Sequence, residues 1–114
     1  MDERLEKALQ TANFLASLNL VRKNTLEEYK QELIFYHNGC SFIADLQFIS
    51  QIYCIKQNQP SAVILDINSI PCTVNDLEKF YQTCFDTYNR ASQDYNEKYQ
   101  SLKKKRNVKN LVDL

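Results

Sequence analysis

Residues 1 to 38 contain neither glycine nor proline, and the whole 114-residue chain has one glycine and two prolines. These two residue types are the strongest breakers of helix, so a chain that avoids them leans toward long helices. Leu5, Ala8, Leu9, Ala12, Leu15 and Leu18 recur at three- and four-residue steps, which sets them on one face of a helix. Asp2, Glu3 and Glu6 fall in its first turn, where carboxylates favour the helix dipole. The face resumes at Leu26, Tyr29 and Leu33. Between them NLVRKNT is a weaker helix former, and either a break or a continuous helix fits it. We read one helix from residue 2 to residue 31.

The single glycine marks a change of pattern. FYHNGCSF, residues 35 to 42, also holds the only histidine and one of four cysteines. Asn-Gly between β-branched and aromatic runs is the strongest short hairpin signal, because a type I′ turn needs positive φ at both central residues. Folding there sets His37 opposite Cys40, Phe35 opposite Phe42 and Leu33 opposite Ala44. Leu33, Phe35, Phe42 and Ala44 form a core face. Ile34, Tyr36, Ser41 and Ile43 form the other face, apolar enough to predict a cover on both sides.

Asp45 is a good cap for a short helix over LQFISQIYCIKQ, with Leu46, Ile49, Ile52, Tyr53 and Ile55 as its apolar face. Its β-branched content keeps a strand as the alternative. SAVILD and IPCTV predict a second hairpin around Asp66 to Ser69, with Val63 and Leu65 near Cys72 and Ile70. Pro71 lacks a donor and belongs at a sheet edge. Asn75, with Glu78 three residues on, has the pattern of a capping box, and a long helix follows to residue 106. The expected fold is α+β: a long N-terminal helix, two β-hairpins flanking a short helix, and a long C-terminal helix. It is read as a single domain over residues 1–106, with 107–114 a frayed tail.

The long helix carries the sharpest periodic signal. Tyr81, Tyr88 and Tyr95 stand seven apart, with Leu102 next, and Leu77, Cys84 and Ala91 fill the intermediate positions. This is a heptad seam, read either as intramolecular core or as an oligomer interface. Residues 75 to 106 would extend about 48 Å at 1.5 Å per residue, against about 26 Å for a domain of this size. Part of the helix should therefore project and need a partner. Leu77, Tyr81, Cys84, Tyr88, Ala91 and Tyr95 are the candidate oligomer seam, and the expected partner is a second copy or another protein.

The formal net charge is zero but unevenly spread. Lys98, Lys103, Lys104, Lys105, Arg106 and Lys109 give +6 between residues 98 and 109, and the remaining eight basic and fourteen acidic residues give −6. Lys103, Lys104, Lys105, Arg106 and Lys109 form a candidate basic contact patch that makes a nucleic-acid-associated regulator the alternative function. A solvated helix end is the simpler account of the same residues.

Catalytic readings have little to rest on. One glycine excludes both the dinucleotide-binding and the phosphate-binding loop patterns. His37 and Cys40 have ligand-like spacing, but zinc wants four ligands and the other cysteines are single and distant. A Cys–His nucleophile would need a third group to orient the base. No cofactor, metal or small-molecule substrate is expected, and no enzyme activity. Without CxxC pairs the four cysteines read as buried thiols of a reducing compartment. No apolar run is long enough to span a bilayer, and the charged start lacks a signal-peptide core, so a cytoplasmic setting is expected.

The opening MDERLEKALQTANF, the FYHNG and VILDINSIP hairpins and the ending KKKRNVKNLV together resemble small uncharacterised proteins of marine T-even-type cyanophages, along nearly the whole chain. Cys40 and Ser41 follow HNG where a glycine and a polar residue would be expected, which further weakens a metal role. The resemblance implies a phage product acting in the cytoplasm of an infected bacterium, in assembly, scaffolding or regulation. It carries no functional residues with it. The expected function is a non-enzymatic interaction or assembly protein that self-associates through its long helices.

Overall fold

The computed structural model describes residues 2–112, with side chains to residue 106. Its order is α1 (Glu3–Glu32), β1 (Ile34–His37), β2 (Cys40–Ile43), α2 (Leu46–Asn58), β3 (Ala62–Leu65), β4 (Pro71–Val74) and α3 (Leu77–Val112). Each hairpin is its own two-stranded antiparallel sheet. This is the α+β layout expected. The chain divides into two compact units, one of residues 29–93 and one of the first 28 residues with those from 94 onward. The α3 helix continues through residues 107–112, which that reading had assigned to a frayed tail.

α1 passes through residues 19–25 without a break. The buried Thr25 is accommodated because its hydroxyl donates to the Val21 carbonyl at 2.8 Å, one turn back, the usual way a helical threonine satisfies itself. In the 29–93 unit, Asn38 and Gly39 both have positive φ, at 50° and 77°, and the β1–β2 register is the expected one. A Cβ at Gly39 would meet no atom within 4 Å, so only the backbone conformation resists it. Gly39→Ala is therefore expected to cost about 1–2 kcal/mol, read as a lower denaturation midpoint with an unchanged m-value.

Asp45 caps α2, its Oδ1 accepting from the Phe48 N–H at 2.8 Å. The α3 cap is Asp76, whose Oδ1 accepts from the Lys79 N–H at 3.2 Å. The sequence had suggested Asn75. The carboxylate one residue later carries the formal charge, and negative charge suits the start of a helix.

The β3–β4 hairpin is paired one residue away from the expected register. Val63 faces Thr73, Ile64 faces Cys72 and Leu65 faces Pro71. The turn closes with the Asp66 N–H donating to the Ile70 carbonyl at 3.0 Å and the Ser69 N–H to the Asp66 carbonyl at 2.9 Å. Ser69 takes a φ of 60°, so a tight turn followed by a left-handed residue forms a three-residue loop. Because sheet side chains alternate, Ile64, Cys72 and Val74 point inward while Val63 and Leu65 are exposed.

Phe35, Phe42, Ile49, Ile52, Ile64, Val74, Leu77 and Phe80 build the core of this unit. Phe80 is its hub, with ring centroids 5.6 Å from Phe35, 5.2 Å from Phe42, 6.1 Å from Phe48 and 5.2 Å from His37. The second face of β1–β2, expected to be covered, is open: Tyr36 is 75% exposed and Ile43 38%. On α2, Ile49 and Ile52 are buried, but Leu46 and Tyr53 are exposed, so its apolar face is narrower than the sequence pattern implies.

Candidate functional site

The heptad residues of α3 are occupied within the chain. Leu77 and Cys84 lie in the core of the 29–93 unit, Ala91 is buried, and Tyr81 and Tyr88 pack against that core. Tyr81 has its own partners. Its ring lies 5.8 Å from Tyr53 and 6.1 Å from Phe85, and the Lys56 ammonium stands 4.9 Å above it. The same ammonium lies 5.0 Å from the Tyr53 ring and 3.2 Å from Glu78 Oε2. This cation–π clamp ties α2 to the start of α3. Tyr95, in the helical unit, is half-buried, its ring 6.4 Å from Tyr99. The seam expected from the sequence therefore faces inward along much of its length.

In the helical unit α1 and α3 run antiparallel. The seam continues there through Lys98, whose ammonium pairs with Glu28 Oε2 at 2.8 Å and Asp94 Oδ2 at 3.0 Å. Hydrogen bonds first to Glu28 and then to Asp94 raise its pKa, so it stays charged. A lysine in an otherwise apolar seam favours one register over others. Lys103, Lys104, Lys105 and Arg106 are all exposed on α3, and the side chain of Lys109 lies outside the described residues.

The turn pair His37 and Cys40 is built into structure. The His37 ring meets the Phe80 ring edge-on and its Nε2 lies 3.3 Å from the Asn38 amide nitrogen, while its carbonyl accepts from Cys72 Sγ at 3.6 Å. Cys40, Cys72 and Cys84 are buried and Cys54 is exposed. Burial first, then the neighbouring Cys40 thiol, pushes the Cys72 pKa up to about 11. Burial pushes Cys84 up to about 12. Nucleophilic thiols need the opposite shift. No group of three or more histidine, cysteine or acidic side chains among the described residues is placed to hold a metal.

Asp66 is the organising residue that the sequence reading treated only as a turn acid. Oδ1 accepts from the Asn68 N–H at 2.8 Å and the Ile70 N–H at 2.9 Å, and Oδ2 from the Ser41 N–H at 3.2 Å. The Ile67 N–H returns a bond to the Ser41 carbonyl at 3.0 Å. One carboxylate thus closes its own turn and joins the second hairpin to the first. The Ile70 hydrogen bond, helped by those from Ser41 and Asn68, outweighs burial and lowers its pKa. Aspartate followed two and four residues on by amides that must turn was the available signal. Its tie to Ser41 had none.

Beside Asp66 lies a cavity of about 230 Å³, lined in part by Ile43, Phe48, Leu65 and Ile67. The carboxylates at its margin are Asp45, committed to capping, and Asp66, committed to the turn. No helix among the described residues is long and apolar enough to cross a membrane. Family models, curated proteins and solved structures yield no match to this chain.

Proposed function

We propose that this chain is a small non-enzymatic interaction and assembly protein that associates with a second copy of itself through its long helices. The observation that carries this reading is the thin interior of the helical unit. Among its described residues Thr25 alone is buried, while Leu5, Leu9, Leu20, Val21 and Leu26 remain exposed. Helices draw most of their stability from packing an apolar face, and this pair leaves the N-terminal face of α1 uncovered. Leu5, Ala8, Leu9 and Ala12 form that face, and small residues among leucines allow close helix approach. Two such hairpins meeting face to face make a four-helix bundle, and a two-fold dimer is the commonest closed assembly.

The committed carboxylates and the raised pKa values of Cys72 and Cys84 favour this reading over catalysis. The resemblance to cyanophage proteins supplies a setting, assembly or regulation in the cytoplasm of an infected bacterium. Solution mass by light scattering tests the proposal. The wild type is expected to be a dimer or larger. The double variant Leu5→Glu with Leu9→Glu is expected to give the monomer mass and an unchanged near-ultraviolet spectrum, because its substitutions lie outside the 29–93 core. A wild type monomeric at every concentration, or a double variant that keeps the wild-type mass, overturns it.

A further inference from the structure

The helical unit has a charge pattern that the C-terminal cluster alone does not reveal. On α1 no carboxylate occurs between Glu6 and Glu27, and Lys7, Arg22 and Lys23 lie in that stretch. On α3 none occurs between Glu97 and Asp113, where six cations lie. Antiparallel packing brings part of the first stretch beside the second. Arg22 of α1 joins Lys103 and Arg106 of α3 along one cleft of about 80 Å³. Asn19 and the exposed ring of Tyr99 line it too, and Leu18 and Leu102 supply its apolar part. No carboxylate among the described residues lines it. Glu28 and Asp94 are engaged with Lys98. Arg22, Lys103, Lys104, Lys105 and Arg106 have no ion pair among the described residues.

We propose that this cleft binds single-stranded nucleic acid. Cations from two helices flank one groove, which suits a phosphate chain running along it. The Tyr99 ring offers a stacking platform for an unpaired base, worth about 1–3 kcal/mol per base in comparable sites. The Asn19 amide can both donate to and accept from a base edge. A duplex keeps its bases stacked and cannot use Tyr99. An acidic peptide would use the charge and leave the ring idle. A lipid surface calls for cations flanking a broad apolar face, whereas here they line a cleft between two helices. The inference is independent of self-association, because Arg22, Tyr99, Lys103 and Arg106 lie outside the Leu5–Ala12 face.

The test is fluorescence anisotropy of the full chain with a labelled oligothymidine of about twelve nucleotides, within the usual span of such sites. Three phosphate contacts, from Arg22, Lys103 and Arg106, predict a log–log salt slope near −2, so affinity falls about twenty-fold between about 50 mM and about 200 mM salt. Arg22→Glu is expected to weaken binding at least tenfold and flatten the slope. Tyr99→Ala is expected to weaken binding at least fivefold with the slope unchanged, the mark of a stacking contact. Both sites are exposed, and circular dichroism checks that each variant stays folded. Four results overturn the proposal. They are no binding at the lower salt, equal affinity for a duplex of the same length, equal affinity for polyglutamate or for phosphatidylserine vesicles, and binding that neither variant changes.

Discussion

Phe80→Ala is expected to unfold the 29–93 unit under conditions where the wild type is fully folded. Phe80 is 2% exposed and touches four rings contributed by β1, β2 and α2. Truncation removes its own buried area and strands those rings around a cavity, at a cost of about 3–5 kcal/mol. Small domains have only about 5–15 kcal/mol in total, and at roughly 4–8 °C per kcal/mol the melting temperature should fall by tens of degrees. Phe85→Ala is the control. Phe85 is 40% exposed and among the described residues its ring stacks on Tyr81 alone, so about 1 kcal/mol or less is expected. Chemical denaturation of both variants measures the difference. Equal losses would mean that the ring cluster around Phe80 is not what holds this unit together.

The second large effect centres on Asp66. Asp66→Ala leaves the Asn68, Ile70 and Ser41 N–H groups without their acceptor and removes one of the hydrogen bonds between the hairpins, leaving those of Ile67 to Ser41 and Cys72 to His37. Asp66→Asn can keep an oxygen toward Asn68 and Ile70, but it places an amide NH₂ against the Ser41 N–H. The alanine variant should therefore be the less stable of the two, and both should be less stable than the wild type. Amide exchange distinguishes them: Ser41 should lose protection in both variants, and Ile70 in the alanine variant only. The charge has a pH signature. The folded carboxyl has its pKa below the ordinary 3.8, so its contribution is complete above that value and is lost as pH falls through the lowered one. Wild-type stability should decline in that acid range, and Asp66→Asn should decline less steeply. Parallel pH profiles for the two proteins would mean that the Asp66 charge does not contribute to stability.

Both predictions concern residues whose importance the linear pattern does not display. Phe80 is one aromatic among thirteen, and it stands off the tyrosine heptad. Its weight comes from its place where the first hairpin and α2 converge. Asp66 was legible as a turn residue, because aspartate is at home in turns. The register slip in β3–β4 follows from the same carboxylate drawing the Asn68 and Ile70 amides into the loop. That shift also decided which residues of β3 face the core, since a one-residue slip exchanges the two faces of a strand.

What the sequence by itself determined here is local. The scarcity of glycine and proline made the two long helices, Asn38-Gly39 made the first hairpin in its register, and Asp45 started α2 at its observed place. Each depends on the intrinsic backbone preference of a few adjacent residues. Tertiary structure alone decided which faces are covered. The heptad on α3 identified a face that packs, but periodicity carries no label for its partner, and that face turned inward beside α2 and the hairpins. The outer faces of both hairpins are as apolar as many inner ones, so composition could not say that Tyr36, Val63 and Leu65 would meet solvent. Nothing in the linear pattern singles out Arg22, and antiparallel packing sets it beside Lys103 and Arg106. Charge and hydrophobicity act through space, and only the folded chain brings residues so far apart in sequence within reach of one another.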